Sequence, residues 1–234
     1  MKAFPRWMRY LRFLAILMMG ITALFTLTSG LGTSCVAINP TGFGPNMAPL
    51  ARLQWLYILF VVITTLIGLM GIRAVLLLIR GRKNAYSYTM TVLIAGLVIG
   101  VIHMITSRAL RGKSMPVDAV VGVTALTLIL FLLFLLPRLH PMFINSEGES
   151  TGRGEDQIAA FTLWATGIFT LTLPHWMAAT HTWDGVNWAA TFPTLTLLAG
   201  VGQIGLGIYW LLRRRQVRVR LLFPRYQPKP SLRH

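Results

Sequence analysis

Cysteine and acidic residues are scarce in this chain, and their scarcity excludes several kinds of chemistry. Cys35 is the only cysteine among 234 residues, which excludes an internal disulfide, a CxxC redox pair and a multi-cysteine metal site. We expect its thiol to be chemically inert. Only six residues are Asp or Glu, and none lies in the middle of a long apolar run. Without a carboxylate there to carry a proton or to coordinate sodium, a cation-coupled transporter is disfavoured.

The sequence also lacks the patterns of a catalytic centre. It contains no paired acids, no His, Asp and Glu set at metal-ligand spacing, and no nucleophile at helical spacing from a base. The run GVGQIG from Gly200 to Gly205 matches GxGxxG, but apolar residues flank it where a dinucleotide loop needs a preceding strand. The loops between apolar stretches are too short for a soluble catalytic domain. These absences favour a protein that is not an enzyme.

Apolar residues dominate what is present. Hydrophobic residues make up 55% of the chain and charged residues 12%, and the mean hydropathy of +0.64 is typical of a membrane protein. A helix needs about 20 apolar residues to cross a bilayer. Stretches of about this length occupy six ranges: 13–31, 55–79, 87–107, 117–137, 158–179 and 191–212. Because lipid offers no partner to open backbone groups, we predict an all-α, polytopic domain over 1–212 with six transmembrane helices, followed by a basic tail, 213–234.

The distribution of Lys and Arg predicts the orientation of these helices. If the amino terminus is cytoplasmic, 17 of the 22 Lys and Arg residues fall in cytoplasmic segments, four fall in outer loops, and Arg73 lies within the second span. Cytoplasmic loops carry such an excess of positive charge, so we predict that both termini are cytoplasmic in a multi-pass protein of a bacterial plasma (inner) membrane. The basic tail is suited to anionic lipids of the inner leaflet, and we expect no nucleic-acid partner.

The amino-terminal segment has two interpretations. Basic residues, an apolar run and the sequence GTSC ending at Cys35 follow the order of a signal peptide with a lipid-modified cysteine. However, Gly32 stands where that motif needs a larger aliphatic residue, and the 19-residue run 13–31 is long enough to span a bilayer. We therefore predict that residues 1–35 are retained as the first transmembrane helix.

The loop after the third span is the exception to this charge pattern. The stretch GVIHMITSRALRGKSMPVD ends at Asp118, and the predicted topology puts its three cations, Arg108, Arg111 and Lys113, on the outer side. The same topology places further polar residues at this end of the helices, namely His103, Asp118, His175 and His181. We predict that a ligand-binding site, if the protein has one, lies among these seven residues.

Three interpretations of this outer cluster are open. In the first, Asp118 pairs with the loop cations and each histidine bonds to a backbone carbonyl or to interfacial water. In the second, Arg108 and Arg111, together with Lys113, hold an anionic ligand such as a lipid phosphate or a quinone headgroup. In the third, His103 and His175 are the axial ligands of a b-type haem. We expect no cofactor, with haem b as the alternative, and no other metal site.

Glycines at helix-packing spacing predict close contacts between the helices. The third span contains a GxxxG pattern, and the last span contains a denser set. The residues concerned are Gly96 and Gly100 in the third span and Gly200, Gly202 and Gly205 in the last. Gln203 is the amide placed deep in the last span, where we expect it to bond to a neighbouring helix or, alternatively, to a ligand.

Together these patterns predict a non-catalytic integral membrane protein. We expect a scaffold or accessory subunit that packs against other membrane subunits and has an outer polar pocket for an anionic lipid or a quinone-like headgroup. Two alternatives of a different class are a redox subunit that binds haem b and a transporter of small solutes or lipid headgroups.

Overall fold

Long α-helices form nearly all of the part of the chain that the structure describes. In this computed structural model the described residues are 6–137, 139, 155–183, 186–187 and 193–222. The long helices are α1 (Arg6–Ile38), α2 (Gln54–Ile79), α3 (Ala85–Arg111), α4 (Val117–Leu133), α5 (Glu155–His181) and α6 (Pro193–Leu222). The predicted all-α class is confirmed.

Short elements occupy two of the connections between these helices. The connection from α1 to α2 contains two 3₁₀ helices, Pro40–Phe43 and Ala48–Leu53. Between α5 and α6, strand β1 (Thr182–Trp183) pairs antiparallel with strand β2 (Val186–Asn187). Each strand has two residues, so this pair is a hairpin tip and adds no sheet to the fold.

The helix α1 is the centre of the packing. It contacts α2, α4 and α5, while α3 packs against α2 and α4, and α6 packs against α5. Near the start of α1, the Nη2 atom of Arg12 donates to the carbonyl of Leu78 at the end of α2, at 3.1 Å. The hydroxyl of Tyr86, at the start of α3, donates to the carbonyl of Phe131 near the end of α4, at 2.9 Å. Both helix pairs are therefore antiparallel.

Glycine permits the closest of these contacts. A Cβ added to Gly68 of α2 would lie 2.7 Å from the Cα atom of Leu27 in α1, and one added to Gly200 of α6 would lie 2.9 Å from the carbonyl oxygen of Gly167 in α5. Such distances leave no room for a side chain, so these helices touch backbone to backbone.

The glycines predicted to pack between helices differ in their surroundings. In addition to Gly200, Gly100 lies at a tight contact, since a Cβ added there would be 2.9 Å from Val121 of α4. Gly96 is less crowded, with Ile67 at 3.4 Å from the same added atom. Nothing lies within 4 Å of a Cβ added to Gly202 or Gly205, so these two glycines pack against no described part of this chain.

The length and the surface of the helices suit a bilayer. Within the described residues, three segments are long and apolar enough to cross a membrane: Tyr10–Ile38, Ala48–Ile79 and Ala85–Arg111. Two further apolar helices, Val117–Leu133 and Thr196–Leu212, are shorter. Large aliphatic side chains are exposed on the outer faces, such as Leu126 at 57% and Leu198 at 67%. An exposed apolar face of this size is stable in lipid and unfavourable in water.

Candidate functional site

The last part of α3 supplies three of the seven residues predicted to form the outer site: His103, Arg108 and Arg111. Arg108 and Arg111 both lie in its last turn, and the helix stops at Gly112. Gly112 adopts φ 69°, the left-handed conformation that glycine tolerates best, and its N–H bonds to the Arg108 carbonyl at 2.8 Å. This cap directs the chain away from the helix axis, so that Ser114 and Asp118 return towards α3.

Arg108 has its charge balanced locally. Its Nη2 atom lies 3.1 Å from Oδ1 of Asp118, and its Nε atom donates to the Ser114 hydroxyl at 2.9 Å. The Ser114 hydroxyl, which is buried, donates in turn to the same carboxylate oxygen. The three side chains form a closed network that joins the end of α3 to the first turn of α4. This geometry matches the first interpretation, in which Asp118 pairs with a loop cation. Arg108 and Asp118 are already paired with each other.

Arg111 has no such balance. Its Nη1 atom contacts the thioether sulfur of Met47 at 2.9 Å, and thioether sulfur is a weak acceptor. Its Nε atom is buried and bonds to nothing in the described part of the chain, and no carboxylate among the described residues pairs with it. Lys113, two residues further on, is exposed and has no described partner. The described residues therefore leave positive charge uncompensated at this end of α3.

An aromatic and polar group from α2 and α3 lies beside Arg111. The Tyr57 hydroxyl and the Ser107 hydroxyl are 2.8 Å apart, and both residues are buried. The His103 ring stacks on Phe60 with centroids 4.5 Å apart, and it meets Tyr57 edge to face at 5.3 Å. Arg111 is close enough to Tyr57 and His103 to interact electrostatically with both. We call the residues Met47, Tyr57, His103, Ser107 and Arg111 the Arg111 cluster.

The structure does not bring all seven predicted residues together. His103, Arg108, Arg111, Lys113 and Asp118 all lie near the end of α3. His175 lies on α5, which packs against α6 and α1, and its side chain is exposed. His181 is the last residue of α5, and its side chain lies outside the described residues.

The surroundings of His103 bear on the haem alternative. Its described ring contacts come from Tyr57 and Phe60, both on α2, and none comes from α5, which carries His175. No group of three or more His, Cys, Asp or Glu side chains in the described residues is arranged to hold a metal ion.

Four residues at this site, Met47, Tyr57, Phe60 and Ser107, were not predicted from the sequence as site residues. Met47 precedes the second 3₁₀ helix in the connection between α1 and α2 and packs with Ala37, Leu50 and Tyr57. A usable signal existed for Tyr57 and Phe60, because they are three residues apart and share one face of α2 near its first turns. Met47 gave no periodic signal, since it lies in a connection rather than in a long helix.

No family model matches the chain, and neither a curated protein nor a solved structure shows significant similarity to it.

Proposed function

We propose that this chain is a non-catalytic, multi-pass protein of a bacterial inner membrane that serves as a scaffold or accessory subunit. The proposed topology has six spans over residues 1–212, cytoplasmic termini and a basic tail, 213–234, on the anionic inner leaflet. Its support is the excess of Lys and Arg in the proposed cytoplasmic segments together with the exposed apolar helix faces. The open faces of Gly202 and Gly205 on α6 are places where another membrane subunit could approach closely.

We further propose that the outer end of the bundle holds the phosphate of an anionic lipid at Arg111. The observation that carries this proposal is that two arginines in one helical turn have different partners: Arg108 pairs with Asp118, whereas Arg111 contacts only a thioether among the described residues. A partly buried guanidinium without a counter-ion is unfavourable, and a phosphate would relieve this through charge-assisted hydrogen bonds.

Other cations on this side favour an anion over a neutral headgroup. Lys113 is exposed beside Arg111, and Arg52, in the connection from α1 to α2, is also exposed. A phosphate in the interfacial layer gains from each nearby cation, about 1 kcal/mol for each one close to the surface. A quinone headgroup carries no charge and would gain much less from the same residues.

The test is the amount of anionic lipid that stays with the purified protein. The full chain is reconstituted in nanodiscs containing phosphatidylglycerol and phosphatidylcholine, and lipid retained after gentle release is counted by native mass spectrometry. We expect Arg111→Gln to remove the retained phosphatidylglycerol. The matched control, Arg82→Gln, removes the same charge from an exposed position in the connection between α2 and α3, at the other end of the bundle, and should leave the retained phosphatidylglycerol unchanged. Equal retention in wild type and Arg111→Gln would contradict the proposal.

A further inference from the structure

Arg73 is a charged residue within an apolar helix. It lies on α2, six residues before the helix ends at Ile79, which places its Cα atom about 9 Å from that end along the helix axis. The side chain is exposed, and two aliphatic residues earlier on the same face, Leu66 and Leu69, are exposed at 54% and 51%. Because α2 is long and apolar enough to span a membrane, this face meets lipid, where a charge without a partner is unfavourable.

The described contact of the Arg73 guanidinium is with an aromatic ring of the neighbouring helix. Its Cζ atom lies over the ring of Tyr88, 5.2 Å from the ring centroid. Tyr88 is in the first turn of α3, so Arg73 reaches towards the end of the bundle where α2 is joined to α3. A cation–π contact of this kind holds the guanidinium in place. The N–H groups, which lie in the guanidinium plane, have no hydrogen-bond partner among the described residues.

No acid of α1, α2 or α3 can supply that partner. The first acidic residue of the sequence is Asp118, in the first turn of α4, and its described ion pair is with Arg108. Residues 1–117 therefore contribute only positive charge, and residues 80–83 add three exposed cations at the same end of the bundle as Tyr88. Because Arg73 is itself exposed, an anion in the surrounding lipid can reach its N–H groups.

Arg80 places a second cation on the same face of α2. Residues seven apart in a helix point in nearly the same direction, and the rise between them is about 10 Å. Both side chains are exposed, and Arg80 caps the helix end, where the membrane interface begins. Long side chains at this spacing can converge on one group at the interface. Two arginines without an acid favour an anion with more than one negative charge.

A phosphate monoester meets these requirements better than a phosphate diester. A monoester carries a charge of about −1.5 to −2 near neutral pH, whereas a diester carries a single negative charge. Its three unesterified oxygens can accept from both guanidinium groups. A monoester also has no headgroup beyond its phosphate, so a site within a membrane span does not force further polar groups to lose water.

We propose that Arg73, Arg80 and Tyr88 form a binding site for a lipid phosphomonoester on the lipid-facing surface where α2 meets α3. The two arginines donate to the phosphate oxygens, the Tyr88 ring orients Arg73, and the hydrocarbon chain lies along the exposed aliphatic residues of α2. Phosphatidic acid and a prenyl phosphate both have this chemistry.

This site is separate from the Arg111 cluster. Tyr88 is in the first turn of α3 and Arg111 is its last residue, so the two sites lie at opposite ends of that helix. The proposal requires that α2 and α3 span a bilayer, and it does not depend on which end faces the cytoplasm. Arg111→Gln should leave binding at Arg73 unchanged, so failure of the outer-site proposal does not affect this one.

The test is the retention of lipid by the full chain in nanodiscs, counted by native mass spectrometry. The nanodiscs contain phosphatidylcholine and a small fraction of one test lipid: phosphatidic acid, geranylgeranyl phosphate or phosphatidylglycerol. We expect Arg73→Gln to weaken retention of both phosphomonoesters roughly 10-fold or more, as the loss of charge-assisted hydrogen bonds predicts. Retained phosphatidylglycerol should be unchanged by this substitution. Comparing the two phosphomonoesters identifies which natural source the site prefers.

Two further arginine variants separate a defined site from general attraction to a basic surface. The matched control, Arg82→Gln, removes the same charge from an exposed position in the connection between α2 and α3 and should leave retention nearly unchanged. Arg73→Lys keeps the charge but loses the planar fork, so it should retain phosphomonoesters at an intermediate level. Equal losses in Arg73→Gln and Arg82→Gln, or equal retention by wild type and Arg73→Gln, would overturn the proposal.

The ring of Tyr88 provides a readout that a general charge effect does not change. Tyr88→Phe keeps the ring and should retain phosphomonoesters like wild type, whereas Tyr88→Leu should weaken retention roughly 2- to 5-fold. Because Arg73 is exposed, Arg73→Gln should unfold at the same temperature as wild type in the absence of phosphomonoester, which excludes misfolding as the cause of a loss. Millimolar inorganic phosphate should not displace the lipid. Displacement would identify a site for free phosphate and refute the assignment to a lipid.

Discussion

At the scale of single residues, Arg108 and Arg111 differ in their partners although they share the last turn of α3. Arg108 lies beside Asp118 and Ser114, and its side chain is 57% exposed at the rim. Arg111 turns towards Met47 and the start of α2, and its buried Nε–H has no partner in the part of the chain that the structure describes. An exposed ion pair contributes at most about 1 kcal/mol, whereas an unpaired buried donor costs about 1–3 kcal/mol. The uncompensated group is therefore the one on which a ligand has the larger effect.

The packing of His103 leads to a prediction about two substitutions. His103 is 5% exposed between Phe60 and Tyr57, so its ring acts as a packing element. We expect His103→Phe to keep these ring contacts and cost less than about 1.5 kcal/mol, while His103→Ala opens a cavity and costs about 2–4 kcal/mol. Reversible unfolding in mixed micelles measures both values.

The His103→Phe variant also tests the haem alternative. A packing role requires that the purified wild-type protein show no Soret absorbance. If the wild type has a Soret band that His103→Phe abolishes while the helical circular dichroism is retained, His103 is a ligand and the packing interpretation is wrong.

The charge pattern of the sequence pointed to residues that lie near the end of α3, but it did not predict how they pair. The Lys and Arg count identified Arg108, Arg111 and Lys113 as the exceptional cluster, and their neighbours His103 and Asp118 lie with them at the end of α3. Which arginine pairs with Asp118 depends on the rotation of α3 about its axis and on the turn at Gly112. Neither quantity is encoded in the spacing of charges, so the separation of Arg108 from Arg111 could be seen only in the folded chain.

At the scale of helices, apolar length predicted the elements well but their ends less well. The second predicted span, 55–79, agrees with α2 (Gln54–Ile79) to within one residue, because polar or turn-forming residues border it on both sides. By contrast, α1 runs over Arg6–Ile38, far beyond the apolar range 13–31. Helices continue past the apolar region wherever backbone hydrogen bonding and neighbouring packing favour it, and hydropathy does not report either effect.

Helix contacts were harder to predict than helix positions. The sequence showed the GxxxG pattern of α3. It gave no prediction for Gly68 and Gly71 of α2, against which α1 packs closely. A glycine in a span shows that some neighbour can approach it. Its spacing does not show which helix that neighbour is, because the choice depends on how all the helices pack together.

The contact between α1 and α2 gives a prediction at this scale. A Cβ added to Gly68 would lie within 2.8 Å of three atoms of Leu27, two of them in the backbone, so the helices must separate. We expect Gly68→Ala to destabilise the protein by about 1–3 kcal/mol, measured by thermal unfolding in detergent. The matched control is Gly122→Ala in α4, where nothing lies within 4 Å of the added atom. It should be neutral or stabilising by up to about 1 kcal/mol, because alanine favours a helix over glycine. Similar losses in the two variants would show that α1 and α2 do not meet at Gly68.

At the scale of the whole molecule, the opposite ends of the bundle differ in character. A small apolar cluster, with Ala37, Leu50 and Tyr57, lies beside Arg111, whereas the larger core cluster includes Leu78, Tyr86 and Phe134 near the other end. Arg82 and Lys83 lie in the connection between α2 and α3, on the side opposite to Lys113. In the proposed orientation the connection between α2 and α3 faces the cytoplasm and Lys113 faces outward, so a reagent that cannot cross the membrane distinguishes the two.

Labelling of single cysteines by a membrane-impermeant maleimide tests this orientation. Cys35 is exposed, so Cys35→Ser provides a background without other thiols. In spheroplasts we expect Lys113→Cys to react and Arg82→Cys to remain unlabelled until the cells are lysed, because both positions are exposed and the proposed topology puts them on opposite sides of the bilayer. Inside-out vesicles should give the reverse order. If Arg82→Cys is labelled in intact spheroplasts while Lys113→Cys is protected, the topology is the inverse of the one proposed. The Arg111 cluster, including Tyr57 near the start of α2, would then face the cytoplasm.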